Sequence, residues 1–173
     1  QKLTRLADAL VMDWDKLAAV TDRPAPVFRS GPACLPHIRI AVARDEAFCF
    51  AYAETLEALE DAGAELAYFR PVRDAALPPD IGGLYLPGGY PELHAQQLSE
   101  NTAMRTSIRQ AVDSGLPTAA ECGGFLYLGQ TLEDADGAVW PMAGGLPGSG
   151  VKVGRLVRFG DAELPAPSNS MLF

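Results

Sequence analysis

Four short apolar runs alternate with stretches of helical period, and no other feature limits the possible folds so sharply. The runs are IRIAVA (38–43), ELAYF (65–69), IGGLYL (81–86) and LPTAAE (116–121). Each has the length of a buried strand and is too short for a helix. Between the first two, AYAETLEALEDAG places Tyr52, Leu56, Leu59 and Ala62 on one helical face and ends at Gly63, a favourable helix stop. A second helical region runs from about His94 to Ser114 and stops at Gly115, and a third begins in GGFLYLGQ. Strands alternating with helices imply an α/β domain: a mostly parallel sheet, helices on both faces, right-handed crossovers. Such sheets bind ligands at the carboxyl ends of their strands. Two glycine-rich loops, PGGYPE and ECGG, fall there.

The flanks read differently. Residues 2–20 carry Leu3, Leu6, Leu10 and Leu17 at near-helical spacing, which predicts one or two short helices. TDRPAPVFRSGPACLPH follows, with four prolines, one glycine and no apolar period, as in a linker. Residues 1–37 are therefore expected to be the tail of an upstream domain and its tether, with the compact domain at 38–173. Near the other end, KVGRLVRFGDAEL (152–164) predicts two β-segments around Gly160, antiparallel and at the sheet edge. The chain starts at Gln1 and ends at NSMLF, as expected of a piece of a longer protein.

Composition narrows the function. The 173 residues carry a net charge of −8 and no long basic run, so nucleic acid is not an expected partner. No apolar run approaches the roughly 20 residues of a membrane span, and no signal-peptide pattern opens the chain. Cys34, Cys49 and Cys122 form an odd set without a CxxC pair, which argues against a disulfide framework and a zinc site. Reduced thiols fit a cytoplasmic protein, and no metal site is expected.

Cys122, in TAAECGGFLYLG (118–129), is open to several readings: packing, metal ligation, half a disulfide, or a nucleophile. Its place between a strand and a helix matches a nucleophile elbow, in which a sharp turn exposes the reactive side chain between small neighbours. Gly123 and Gly124 are such neighbours; Ala120 is small but not glycine, so the match is partial. A helix N-terminus favours a thiolate. The Gly123 N–H is expected where an oxyanion forms, and a second donor is expected from Gly89 or Tyr90 in LPGGYPELH (86–94). Glu121 opposes a thiolate only if it faces the sulfur; it is expected to point away, holding a loop or a substrate amine.

IAVARDEAFCFAYAETLEALEDAGAEL, LYLPGGYPELHA and AAECGGFLYLG together resemble the C-terminal glutaminase domain of the cobyrinic acid a,c-diamide synthase family. That is a subgroup of the class I, triad-type glutamine amidotransferases. The resemblance covers roughly residues 38–173, with the three blocks in the family's order and spacing. It implies a flavodoxin-like three-layer sandwich in which Cys122 attacks the side-chain amide of glutamine, forms a thioester and releases ammonia. The ammonia would serve ATP-dependent a,c-diamidation of a corrin; relatives act on hydrogenobyrinic acid or nickel-sirohydrochlorin. The implied partners are glutamine and an N-terminal synthetase domain, and a homo-oligomer is compatible with this reading. No cofactor is expected here: ATP and Mg belong to the synthetase domain, and the chain has no GxxxxGK[ST] loop. Gly88, Gly124, Glu92 and Glu121 are candidate substrate contacts, and Tyr90 a stacking or hydrogen-bonding one.

The family's histidine base belongs to a later stretch resembling GHEFHYS, which this sequence does not contain. His37 is expected to be solvated and His94 to bond at a helix start, so the chain alone is expected to turn over glutamine slowly. Cys49 is expected to be buried, Cys34 exposed, and Arg105 with Arg109 to form a solvated face. The competing readings are a catalytically silent partner domain, a flavodoxin-like binding domain and a cysteine peptidase of related fold.

Overall fold

The computed structural model describes residues 13–21 and 37–151. The chain divides into two units, Gln1–Gly31 and Pro32–Phe173. In the first, helix α1 (Trp14–Thr21) is described. Asp13 starts it by accepting the Lys16 N–H at 3.1 Å and pairing with the Lys16 ammonium at 3.2 Å. The rest of the expected N-terminal helical region, Cys34 and the β-segments expected at 152–164 lie outside the described residues.

The second unit runs β1 (Ile38–Ala43), α2 (Ala53–Asp61), β2 (Ala64–Phe69), β3 (Gly83–Leu86), a 3₁₀ turn (Pro91–Leu93), α3 (Ala95–Glu100), α4 (Thr102–Asp113), β4 (Thr118–Ala120) and α5 (Gly123–Leu128). The strands form one parallel sheet in the order β2-β1-β3-β4. The crossover from β1 to β2 runs one way along the sheet and that from β3 to β4 the other. Right-handed crossovers in opposite directions put α2 on one face and α3 with α4 on the other. The strand order reverses between β1 and β3, and the carboxyl ends diverge there.

The two faces are covered unequally. On one, Ala41, Leu84 and Leu86 join a core with Leu98, Met104 and Ile108. Burial of each large side chain there is worth about 1.5–3 kcal/mol. On the other, the register lines up Tyr68, Val42, Tyr85 and Ala119 across four strands, and Tyr68 and Ala119 are exposed. Helix α2 buries no residue fully; Leu56, Leu59 and Ala62 are half-buried as the period predicts, whereas Tyr52 precedes the helix and is exposed.

The helical region expected as one piece between His94 and Ser114 is two helices. Asn101 breaks it with φ −76° and ψ 67°. Its side-chain oxygen accepts the Met104 N–H at 3.2 Å, an N-cap, and its amide donates to the Pro71 and Asp74 carbonyls at 2.8 and 2.9 Å. Arg105 and Arg109 do not form a free solvated face: they donate to the Met142 and Gly144 carbonyls and so tie α4 to residues 142–144. A second, small sheet holds β5 (Thr131–Glu133), β6 (Val139–Pro141) and β7 (Ser149–Gly150) in the order β6-β5-β7, with β5 and β6 antiparallel. Asp134 builds the hairpin turn by accepting the N–H groups of Asp136 and Ala138, both at 2.9 Å, and the Trp140 indole N–H at 2.6 Å.

Candidate active site

Strands β3 and β4 pair in register, Leu86 beside Ala120, so their carboxyl-end loops leave the sheet side by side. Glu121 adds one more rung, its N–H donating to the Leu86 carbonyl at 3.1 Å. The chain then turns sharply. Gly124 N–H donates to Pro87 O at 3.1 Å and to Glu121 O at 2.8 Å, which closes residues 121–124 into a tight loop. Cys122 sits inside it with φ 47° and ψ −114°. Among the described residues only Asp80 is another non-glycine with positive φ. An L residue held there carries about 1–3 kcal/mol of strain, of the kind that clusters at reactive sites. The Cys122 thiol is free and exposed, directly before the first residue of α5.

The glycines explain how the loops meet. A Cβ on Gly124 would overlap the Leu86 carbonyl oxygen, so only glycine lets α5 start against the end of β3. A Cβ on Gly123 would lie 2.8 Å from Pro91 Cδ and 2.9 Å from the Gly89 oxygen, so the ECGG and PGGYPE loops are in backbone contact. Gly89 in turn lies against the Ala47 backbone. The N–H groups of Gly89 and Gly123 donate to no protein acceptor among the described residues, whereas Tyr90 N–H donates to Ala47 O at 3.0 Å. Of the two donors expected from the PGGY loop, Gly89 is the free one.

A third loop completes the cluster. Asp45, two residues past β1, accepts Ala47 and Phe48 N–H at 2.9 and 3.1 Å with one oxygen and Val72 N–H at 2.8 Å with the other. It folds the loop back over the switch point, and Phe50 N–H reaches Gly88 O at 3.1 Å in an isolated antiparallel bridge. Asp45 is not among the residues expected to build the site; its signal in the sequence is a carboxylate two residues before a small residue at a strand end, the pattern of an Asx turn.

Glu121 turns its carboxylate to Tyr85, whose phenol donates to it. Burial first, and then this negative acceptor, push the Tyr85 phenol well above its ordinary titration range. The pair spans adjacent strands and has no signal in the sequence without the register. Glu92 is half-buried and has no hydrogen-bond or ion partner among the described residues, and Tyr90 beside it is exposed. His94 bonds Gln97 Oε1 through Nδ1 at 2.9 Å at the start of α3, and exposed His37 lies 3.6 Å from Glu65, near the amino end of β2. Cys49 is exposed, not buried as expected: Phe48 takes the inward position, tilted against Tyr127 with ring centroids 5.4 Å apart, and Cys49 is left in solvent between the bend at 45–48 and the Phe50 bridge to Gly88. Among the described residues, no three His, Cys, Asp or Glu converge as metal ligands, and no helix is long and apolar enough to cross a membrane.

Residues 39–164, which contain all three loops, match the CobB/CobQ-like glutamine amidotransferase domain. The chain belongs to the CobB/CobQ-like glutamine amidotransferase family. Among its relatives is the cobyrinate a,c-diamide synthase of Dehalococcoides mccartyi strain CBDB1, 46% identical over 152 residues, with 87% of this chain and 33% of the relative covered. The hydrogenobyrinate a,c-diamide synthase of Pseudomonas aeruginosa is 44% identical over 176 residues, covering 98% of this chain and 39% of the relative. That of Brucella abortus is 51% identical over 109 residues, covering 63% and 25%. This family member thus spans about a third of the length of the curated relatives it matches.

Proposed function

We propose that the chain is the glutamine-hydrolysing domain of a longer, ATP-dependent amidoligase that diamidates a cobyrinate-type tetrapyrrole. The observation that carries the reading is the strained Cys122, exposed at a strand's carboxyl end next to Gly123, whose backbone meets Gly89, both glycines having N–H groups that no protein acceptor among the described residues uses. The Cys122 sulfur attacks the amide carbon of glutamine, and the negative charge moves to the amide oxygen. The Gly89 and Gly123 N–H groups bind that oxygen; one such donor is worth about 10²–10³-fold in kcat. The C–N bond breaks, the nitrogen takes up a proton and leaves as ammonia, and a glutamyl thioester remains. Water cleaves it to glutamate and the free thiol. Glu92, a half-buried carboxylate without a partner among the described residues, suits the substrate's ammonium. His94 is engaged by Gln97, so the base that takes the thiol proton is assigned to a residue outside the described ones.

The test is glutamate release by the full-length protein and by its Cys122→Ser variant. The reading expects glutamine hydrolysis to disappear in the variant while free ammonia still supports amidation of the tetrapyrrole. Glutamine hydrolysis retained by Cys122→Ser would overturn it.

A further inference from the structure

Glu121 directly precedes the candidate nucleophile, and a carboxylate facing a thiolate works against it. Like charges at close range disfavour one another, so a carboxylate turned to the sulfur leaves less of the thiol in its reactive form. The sheet register shows where this carboxylate goes instead. Tyr85 on β3 is paired with Ala119 on β4. Glu121 lies two residues beyond Ala119 and keeps a strand rung to Leu86. Side chains two apart along a strand share a face, so Glu121 leaves the sheet on the Tyr85 side. There the Tyr85 phenol donates to Glu121 Oε1. Among the described residues no cation pairs with Glu121, and this phenol is its side-chain partner. Burial first, and Glu121 second, keep the phenol protonated well beyond its ordinary range, so it remains a donor throughout neutral pH.

We propose that Tyr85 is a positioning residue whose bond to Glu121 holds the carboxylate on the sheet face and away from the Cys122 sulfur. Tyr85 touches no substrate; it acts through Glu121 and keeps the thiol reactive. Without the phenol, the carboxylate is tied only through its own backbone, next to the cysteine, and is free to swing toward the sulfur. The proposal rests on the reading of Cys122 as the nucleophile.

The test is iodoacetamide alkylation of the full-length protein at neutral pH, with the rates of Cys122 and Cys49 read separately by peptide mass spectrometry. Cys49 is free and exposed after β1, which β3 separates from β4, and it is the internal reference. Tyr85→Phe keeps the buried ring and removes the hydroxyl. It is expected to slow Cys122 about 3–10-fold relative to Cys49, the effect of one nearby carboxylate on a partly solvated thiolate. Adding Glu121→Gln, which leaves no charge to swing, is expected to return the rate to within about two-fold of wild type. If Tyr85→Phe does not fold, Glu121→Asp replaces it: still charged but too short for the phenol, it is expected to slow Cys122 in the same way, with Glu121→Gln alone as the uncharged comparator. An unchanged Cys122 rate in Tyr85→Phe would overturn the proposal. So would a loss that Glu121→Gln does not reverse, the result of a purely structural bond. Alkylation needs no glutamine, so the two readings fail separately. Either of those alkylation results, with glutamine hydrolysis lost in Cys122→Ser, removes the positioning role alone. Hydrolysis retained in Cys122→Ser removes the glutaminase reading, whatever the alkylation rates.

Discussion

Glycine at position 122 should make the fold more stable than alanine does, the reverse of the usual order. At ordinary positions glycine is less stable than alanine by about 0.5–1 kcal/mol. Cys122 holds φ 47° and ψ −114°. A residue with a Cβ carries about 1–3 kcal/mol of strain there, and glycine does not. The greater freedom of glycine in the unfolded chain offsets about 0.4–1 kcal/mol of that gain. Cys122→Gly is therefore expected to exceed Cys122→Ala by about 1 kcal/mol. In a chain of this size that is about 2–4 °C in Tm. The thiol is exposed, so its loss is common to both variants and cancels. Urea unfolding of the two, followed by far-UV circular dichroism, measures the difference. An alanine variant more stable by 0.5 kcal/mol or more would be the ordinary-position result, and it would refute the strained elbow.

Three further predictions follow from the same geometry. Gly123→Ala puts a methyl group 2.8 and 2.9 Å from Pro91 and Gly89, where ordinary contact begins at 3.4 Å. The ECGG and PGGYPE loops must part, and on the proposed function glutamine turnover is expected to fall about 10²-fold for a stability loss of about 1–3 kcal/mol, checked by glutamate release and urea unfolding. Tyr127→Phe removes a buried hydroxyl without a hydrogen-bond partner among the described residues and keeps the ring against Phe48, so stability is expected unchanged or higher by up to about 1 kcal/mol in the same unfolding assay. The Arg70 side chain, donating to Asp74, holds its carboxyl below the usual range. The folded protein thus binds that proton less readily than the unfolded chain. The associated stability is present above the unfolded value and is lost as pH falls through the lower folded one. Unfolding measured across the acid range should show this loss in the wild type and not in Asp74→Asn.

What was legible depended on whether the signal was local. IRIAVA marks β1 residue for residue, because a short β-branched run, apolar except for Arg39 and bounded by His37 and Arg44, has few other places to go. ECGG and PGGYPE read correctly as strand-end loops, because paired glycines after apolar runs leave few alternatives. Asn101 was missed as a helix break: the apolar period continues across it, and only its bonds to Pro71 and Asp74 reveal the cap. Cys49 was misread because free cysteine is usually buried, whereas here the bridge at Phe50 and the inward turn of Phe48 decide its side. The Tyr85–Glu121 bond and the contact of Gly123 with Gly89 join residues 36 and 34 positions apart, and no local pattern encodes either.

The most direct test of the central claim is mass-spectrometric mapping of the cysteines after reaction of the full-length protein with an electrophilic glutamine analogue. Cys49 and Cys122 are both free and exposed, so accessibility alone would label both. The account predicts selective modification of Cys122, suppressed by excess glutamine, with Cys49 left largely unmodified. Equal labelling of Cys49 and Cys122, indifferent to glutamine, would contradict it.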